Sequence, residues 1–151
     1  MSRIDFYHLQ KQSLEEVLPK LLLKAYDSGK KIKVKVGTAE RVEFINTRLW
    51  TFDDESFLPH GSKKDGFSAI QPIYISADED NPNKAEFLFL VDGAIEPIEN
   101  LSSFTRVFNI FDGNDEIALN AARKYWKAIK DSEAEIHYWQ QNASGKWEQK
   151  V

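Results

Sequence analysis

Residues 3–36 read RIDFYHLQKQSLEEVLPKLLLKAYDSGKKIKVKV, and the spacing of apolar positions changes along them. Residues 3–9 suit an opening strand. Ser13 then stands three positions before Glu16, the capping-box spacing that satisfies open backbone donors at a helix start. Leu14, Val17, Leu18, Leu21, Leu22 and Ala25 fall on one face at helical period, and Gly29 stands where such a helix ends. Pro19 lies inside the pattern; with no N–H to give, it is expected to bend the helix or restart it. From Lys31 to Val36 the alternation is strict, with Ile32, Val34 and Val36 on one side and lysines on the other. That pattern predicts a strand with one wet face, near a sheet edge.

The same grammar continues outward. Residues 38–50 predict a second helix, capped by Thr38, with Val42, Phe44, Ile45 and Leu49 apolar. Residues 53–69, with Asp53, Asp54, Glu55, Pro59, Gly61 and Gly66, have the composition of a loop. Strands are predicted at 71–77 and 85–91, joined by the polar connector from Asp78 to Asn83, and a further strand at 104–111. A helix over about 114–132 precedes strands at 135–141 and 146–149, which meet at a Ser144-Gly145 turn. Helices interleaved with strands predict an α/β sheet covered on both faces, and the closing hairpin makes that sheet mixed. No repeat or linker interrupts the 151 residues, so a single domain over 1–151 is expected.

The net charge of −4 and isoelectric point near 5.4 set a field that repels a polyanion, which disfavours avid, direct DNA binding. The absence of cysteine removes disulfides, thiolate metal sites and cysteine nucleophiles, and fits a reducing cytoplasm. No stretch of 18 apolar residues offers a membrane span, and the first residues have no apolar core of a signal peptide. A soluble cytoplasmic protein is expected.

Parallel α/β sheets often bind nucleotides at the carboxyl ends of their strands. Here neither G-x-x-x-x-G-K-[ST] nor G-x-G-x-x-G is present, and Gly29 and Gly37 are isolated, so no glycine-rich loop cradles phosphate. His8, His60 and His137 lie far apart without metal-ligand spacing. The acidic run at 53–55 lacks the ligand spacing of a calcium loop, and no serine lies in G-x-S-x-G. No cofactor, metal or catalytic residue is therefore assigned.

Two segments stand out. Residues 48–60, RLWTFDDESFLPH, place Trp50, Phe52 and Phe57 in a loop-like composition. These aromatics either fold back to close one end of the core or form a protein-docking patch. Within the helix at 115–130, Arg123, Lys127 and Lys130 are spaced i, i+4 and i+7, with Trp126 beside them at i+3 from Arg123. Basic residues towards a helix C-terminus also suit its dipole, which is one explanation. The other is a ligand: a short acidic segment ending in an apolar residue, its carboxylates held by the cations and its last side chain by the aromatic.

At these segments the chain resembles the chi subunit family of bacterial DNA polymerase III. Leu49-Trp50 with Ser56-Phe57-Leu58-Pro59-His60 is similar to the family's L-W-x-x-x-x-x-S-F-[LV]-P-H stretch, and Arg123, Tyr125, Trp126 and Lys127 to its basic helix. Phe6-Tyr7-His8-Leu9 and the ending from Tyr138 to Trp147 extend the likeness over nearly the whole chain. The resemblance implies a three-layer α/β/α sandwich with a mixed, mostly parallel sheet, like a mononucleotide-binding domain but without nucleotide chemistry. It implies a non-catalytic adaptor of the clamp loader, monomeric alone, that meets DNA only indirectly. Arg123, Lys127, Lys130 and Trp126 would hold the acidic C-terminal tail of single-stranded DNA-binding protein. Trp50 and Phe57 would join a psi subunit or an accessory helicase. A small nucleotide-binding or hydrolytic enzyme is the alternative.

Overall fold

The computed structural model describes residues 3–51, 59–132 and 134–150. In chain order the main elements are β1 (Arg3–Leu9), α1 (Leu14–Asp27), β2 (Ile32–Lys35), α2 (Ala39–Thr51), β3 (Gly61–Ser62), β4 (Ile73–Ser76), β5 (Phe87–Leu90), β6 (Arg106–Asp112), α3 (Glu116–Lys130), β7 (Glu135–Gln141) and β8 (Trp147–Gln149). The strands form one sheet in the order β3-β4-β2-β5-β6-β1-β7-β8. All neighbours run parallel except β7 and β8, whose hairpin turns at Gly145.

Helices cover both faces. On one, Leu18 and Leu22 of α1 and Ile45 and Leu49 of α2 pack against Ile32, Val34, Phe89 and Ile110. On the other, Ala122, Tyr125 and Ile129 of α3 pack against Ile4, Phe6, Leu88 and Val107. The mixed, mostly parallel α/β sandwich expected from the sequence is therefore the fold. Neighbouring strands β1 and β6 lead into helices on opposite faces, which opens a crevice beyond their carboxyl ends.

Pro19 neither breaks nor restarts α1, which runs through it with the proline buried. The carbonyl that a residue-19 N–H would have bonded is that of Glu15, and Arg48 Nε of α2 donates to it at 3.4 Å. The Glu16 carboxylate accepts from the Ser13 N–H at 3.3 Å, as the capping-box spacing predicts.

The expectation of a wet edge for β2 is overturned. It lies inside the sheet, parallel to β4 and β5, and Lys33 and Lys35 are 0% and 7% exposed. Their ammonium groups are satisfied by chain that folds over them. Lys33 Nζ donates to the carbonyl of Asp78 at 2.6 Å and to that of Asp80, with the Asp80 carboxylate at 3.5 Å. Lys35 Nζ donates to the Ile95 carbonyl at 2.8 Å and to Glu96 Oε2 at 3.4 Å. Burial pushes the Lys33 amine below its usual range, against the opposing pull of Asp80. The span read as a loop over 53–69 contains the two-residue edge strand β3 and two short 3₁₀ turns, and a 3₁₀ helix over Ile98–Ser103 has no counterpart in the sequence reading.

Candidate protein-docking site

Helix α3 starts where Asp115 accepts from the N–H groups of Ile117 and Ala118, at 3.0 and 3.4 Å. Its buried stripe is Ala122, Tyr125 and Ile129. At 3.6 residues per turn, Trp126, Lys130, Arg123 and Lys127 then fall within about 100° on one flank, with Trp126 nearest the core. Trp126 is half-buried and packs against the buried cluster on this face of the sheet, while the three cations are exposed. Lys130 Nζ lies 5.2 Å from the centre of the Trp126 ring, within cation–π range, and the indole N–H is buried with no acceptor among the described residues.

Among the arginines, the one on this flank differs from the other four. Arg3 pairs with Asp5, Arg41 with Glu15 and Asp92, Arg106 with Asp5, and Arg48 donates to Glu15. Arg123 and Lys127 make no hydrogen bond or ion pair among the described residues.

Within reach of the Arg123 charge lies a group that spacing did not reveal. His8 is buried, and its Nδ1 lies 2.7 Å from the Tyr138 hydroxyl. Gly113 packs against the other edge of the ring so closely that a Cβ there would overlap it. Burial, and then the Arg123 charge, lower the His8 pKa, with Asp112 opposing. The His8 imidazole and the Tyr138 hydroxyl thus both lie within the electrostatic reach of Arg123. His8 and Tyr138 come from different strands and Gly113 from the turn after β6, so no sequence interval joins them.

The aromatic pair predicted at the end of α2 is described in part. Trp50 is 50% exposed, and its ring centre lies 4.2 Å from that of the buried His60. It projects from the last turn of α2 rather than closing the core. Phe57 and Phe52 lie outside the described residues.

The crevice beyond β1 and β6 is a cleft of about 1000 Å³ between the starts of α1 and α3, on the flank of α3 opposite the cations. Where a nucleotide-binding sheet presents free helix N-termini to phosphate, both helix starts here already hold a carboxylate of their own, Glu16 and Asp115. None of the helices among the described residues is long and apolar enough to cross a membrane.

Fold and site together define a class: an α/β sandwich of mononucleotide-binding type that carries, on an outer helix, an arginine without a partner among the described residues. Residues 1–137 match the family described as DNA polymerase III chi subunit, HolC, and the chain belongs to that family. It is 29% identical over 150 residues to the "Probable DNA polymerase III subunit chi" of Rickettsia prowazekii (strain Madrid E), covering 97% of this chain and 91% of the relative. To the "DNA polymerase III subunit chi" of Haemophilus influenzae (strain ATCC 51907 / DSM 11121 / KW20 / Rd) it is 25% identical over 114 residues, covering 75% and 78%. The family places the chain in DNA replication, as an accessory subunit of DNA polymerase III.

Proposed function

We propose that this chain is a non-catalytic, single-domain adaptor that links the clamp loader of DNA polymerase III to single-stranded DNA-binding protein by holding that protein's acidic C-terminal tail. The observation that carries this reading is Arg123, the one arginine of five without a partner among the described residues, on a flank it shares with Lys127, Lys130 and the half-buried Trp126. Carboxylates of a tail would meet the cations, and its last apolar side chain would lie against Trp126. Burial of one phenylalanine contributes roughly 1.5–3 kcal/mol. Each exposed ion pair adds roughly 0.2–1 kcal/mol, screened by salt. The affinity expected is modest and falls as salt rises.

The half-exposed Trp50, with Phe57 beyond the described residues, is the proposed contact for a psi subunit or an accessory helicase. The alternative of a nucleotide-binding or hydrolytic enzyme is disfavoured by the carboxylates at both helix starts of the cleft and by the lack of a glycine-rich loop.

The test is calorimetric titration with a peptide of the tail sequence at low and high salt, using the wild type and Arg123→Glu. Binding that weakens with salt and is lost in the variant supports the adaptor. Binding equally tight in Arg123→Glu would remove the assignment of this flank.

A further inference from the structure

The strand segment Val107-Phe108-Asn109-Ile110-Phe111 is apolar except for its middle residue. Asn109 faces the α3 side of the sheet, level with Phe6 of β1 and Leu90 of β5. It is 7% exposed, and its carboxamide makes no side-chain hydrogen bond among the described residues. Its polar atoms are not sealed from solvent, so the carboxamide offers both a donor and an acceptor to a group that enters the adjoining space. That space is the cleft between α1 and α3, which Asn109 lines.

The walls and rim specify what such a ligand carries. Among the lining residues, Ile117 of α3 is 81% exposed and Ile95 57%, and Ala118 and Ala121 keep the α3 wall shallow. Glu16, Asp92, Asp112 and Asp115 line the cleft as well. Arg41 is paired with Asp92 and Glu15, which leaves Lys11 as the other lining cation against the carboxylates of Glu16, Asp112 and Asp115. Such a rim repels phosphates and acidic peptides and attracts ammonium and guanidinium groups. A carboxamide bonds a peptide group through both its N–H and its C=O.

We propose that this cleft is a second docking site, for a basic, aliphatic peptide segment of a partner protein. A peptide group of the segment bonds to Asn109, an aliphatic side chain lies against Ile95 or Ile117, and a lysine or arginine side chain reaches Asp112. The two flanks of α3 then have opposite charge preference: the Arg123 flank takes an acidic segment, the Ile117 flank a basic one.

The experiment is an NMR titration of the full chain with an acetylated, amidated hexapeptide of alternating leucine and lysine, compared with its leucine–glutamate counterpart, spermidine and AMP. The leucine–lysine peptide is expected to saturate and to shift the Asn109 side-chain amide and the backbone signals of Ile95, Ile117 and Ala121. Asn109→Leu and Ile117→Ser are each expected to weaken it by about tenfold or more, while Arg123→Glu leaves it unchanged. The exposure of Ile117 makes its variant safe for folding. Shifts scattered over the acidic surface, or binding indifferent to both cleft variants, would overturn the proposal. Equal binding of spermidine would reduce the site to a cation sink and overturn it too, and binding of AMP or the glutamate peptide in the cleft would refute the charge argument.

Discussion

Arg48 Nε donates to the Glu15 carbonyl at 3.4 Å, the oxygen that Pro19, four residues further along α1, leaves without an intrahelical donor. The interaction ties α2 to α1 at the point where the ladder of α1 is missing a bond. Arg48→Ala is therefore expected to cost about 0.5–1.5 kcal/mol. In a Pro19→Ala background, where residue 19 regains its N–H, the same change should cost less. Urea denaturation of the four proteins gives the coupling directly, and a coupling of zero would mean that the Glu15 carbonyl does not need Arg48.

Gly113 has no freedom to become alanine. A Cβ there would overlap the His8 ring edge and approach the Leu9 carbonyl oxygen at 2.7 Å, and that oxygen already accepts the Gly113 N–H at 2.7 Å. The ring cannot swing aside without giving up its bond to Tyr138. Gly113→Ala should lower stability by about 2 kcal/mol or more, seen as a reduced urea midpoint with unchanged slope. Weakened peptide binding at the Arg123 flank should accompany it, because the Arg123 charge is coupled to both His8 and Tyr138.

Lys33 is held by the carbonyls of Asp78 and Asp80, and the Asp80 carboxylate is shared with Tyr74 and Ser76. Lys33→Met keeps the volume and orphans those carbonyls, an expected loss of about 1–3 kcal/mol. The pH dependence has a definite sign. Burial holds the folded-state pKa below the ordinary 10.5, so between these values the unfolded chain binds more protons. This contribution to stability is largest above 10.5 and declines as pH falls through the folded value. The wild type's advantage over Lys33→Met should therefore widen as pH rises towards 10.5, measured by urea denaturation across an alkaline series.

These lysines also mark where the sequence stopped being legible. Alternation in 31–36 located a strand correctly, but its partners for burial lie 45 and 60 residues away, and spacing within a strand carries nothing about them. By contrast Arg123, Trp126, Lys127 and Lys130 share one helix, so their placement on a common flank followed from helical period alone. The group within reach of the Arg123 charge could not be read in that way, since β1, β7 and the turn after β6 contribute one residue each. Asn109 left a faint signal, a lone amide in an apolar strand. The 3₁₀ helix at Ile98–Ser103 left less, because its turn-forming residues suit a loop equally well.

His8 reports the charge state of the Arg123 flank. The ring bonds Tyr138 from β7 and packs against the Phe111 ring, and the charges that act on it are Arg123 of α3 and Asp112 at the end of β6. Burial first and Arg123 second depress its pKa below 6.5, while Asp112 acts the other way. Replacing the cation with an anion in Arg123→Glu must then raise the His8 pKa, and an acidic peptide bound at Arg123 in the wild type must move it in the same direction. For stability, a depressed folded value means that the contribution of His8 is complete above pH 6.5 and is lost as pH falls through the folded pKa. Arg123→Glu narrows that loss. An NMR titration of the imidazole signals of wild type, Arg123→Glu and the peptide complex measures all three. A His8 pKa that stays fixed in the variant would show that Arg123 does not act on the ring, and one that moves in the variant but not with peptide would place the acidic ligand elsewhere.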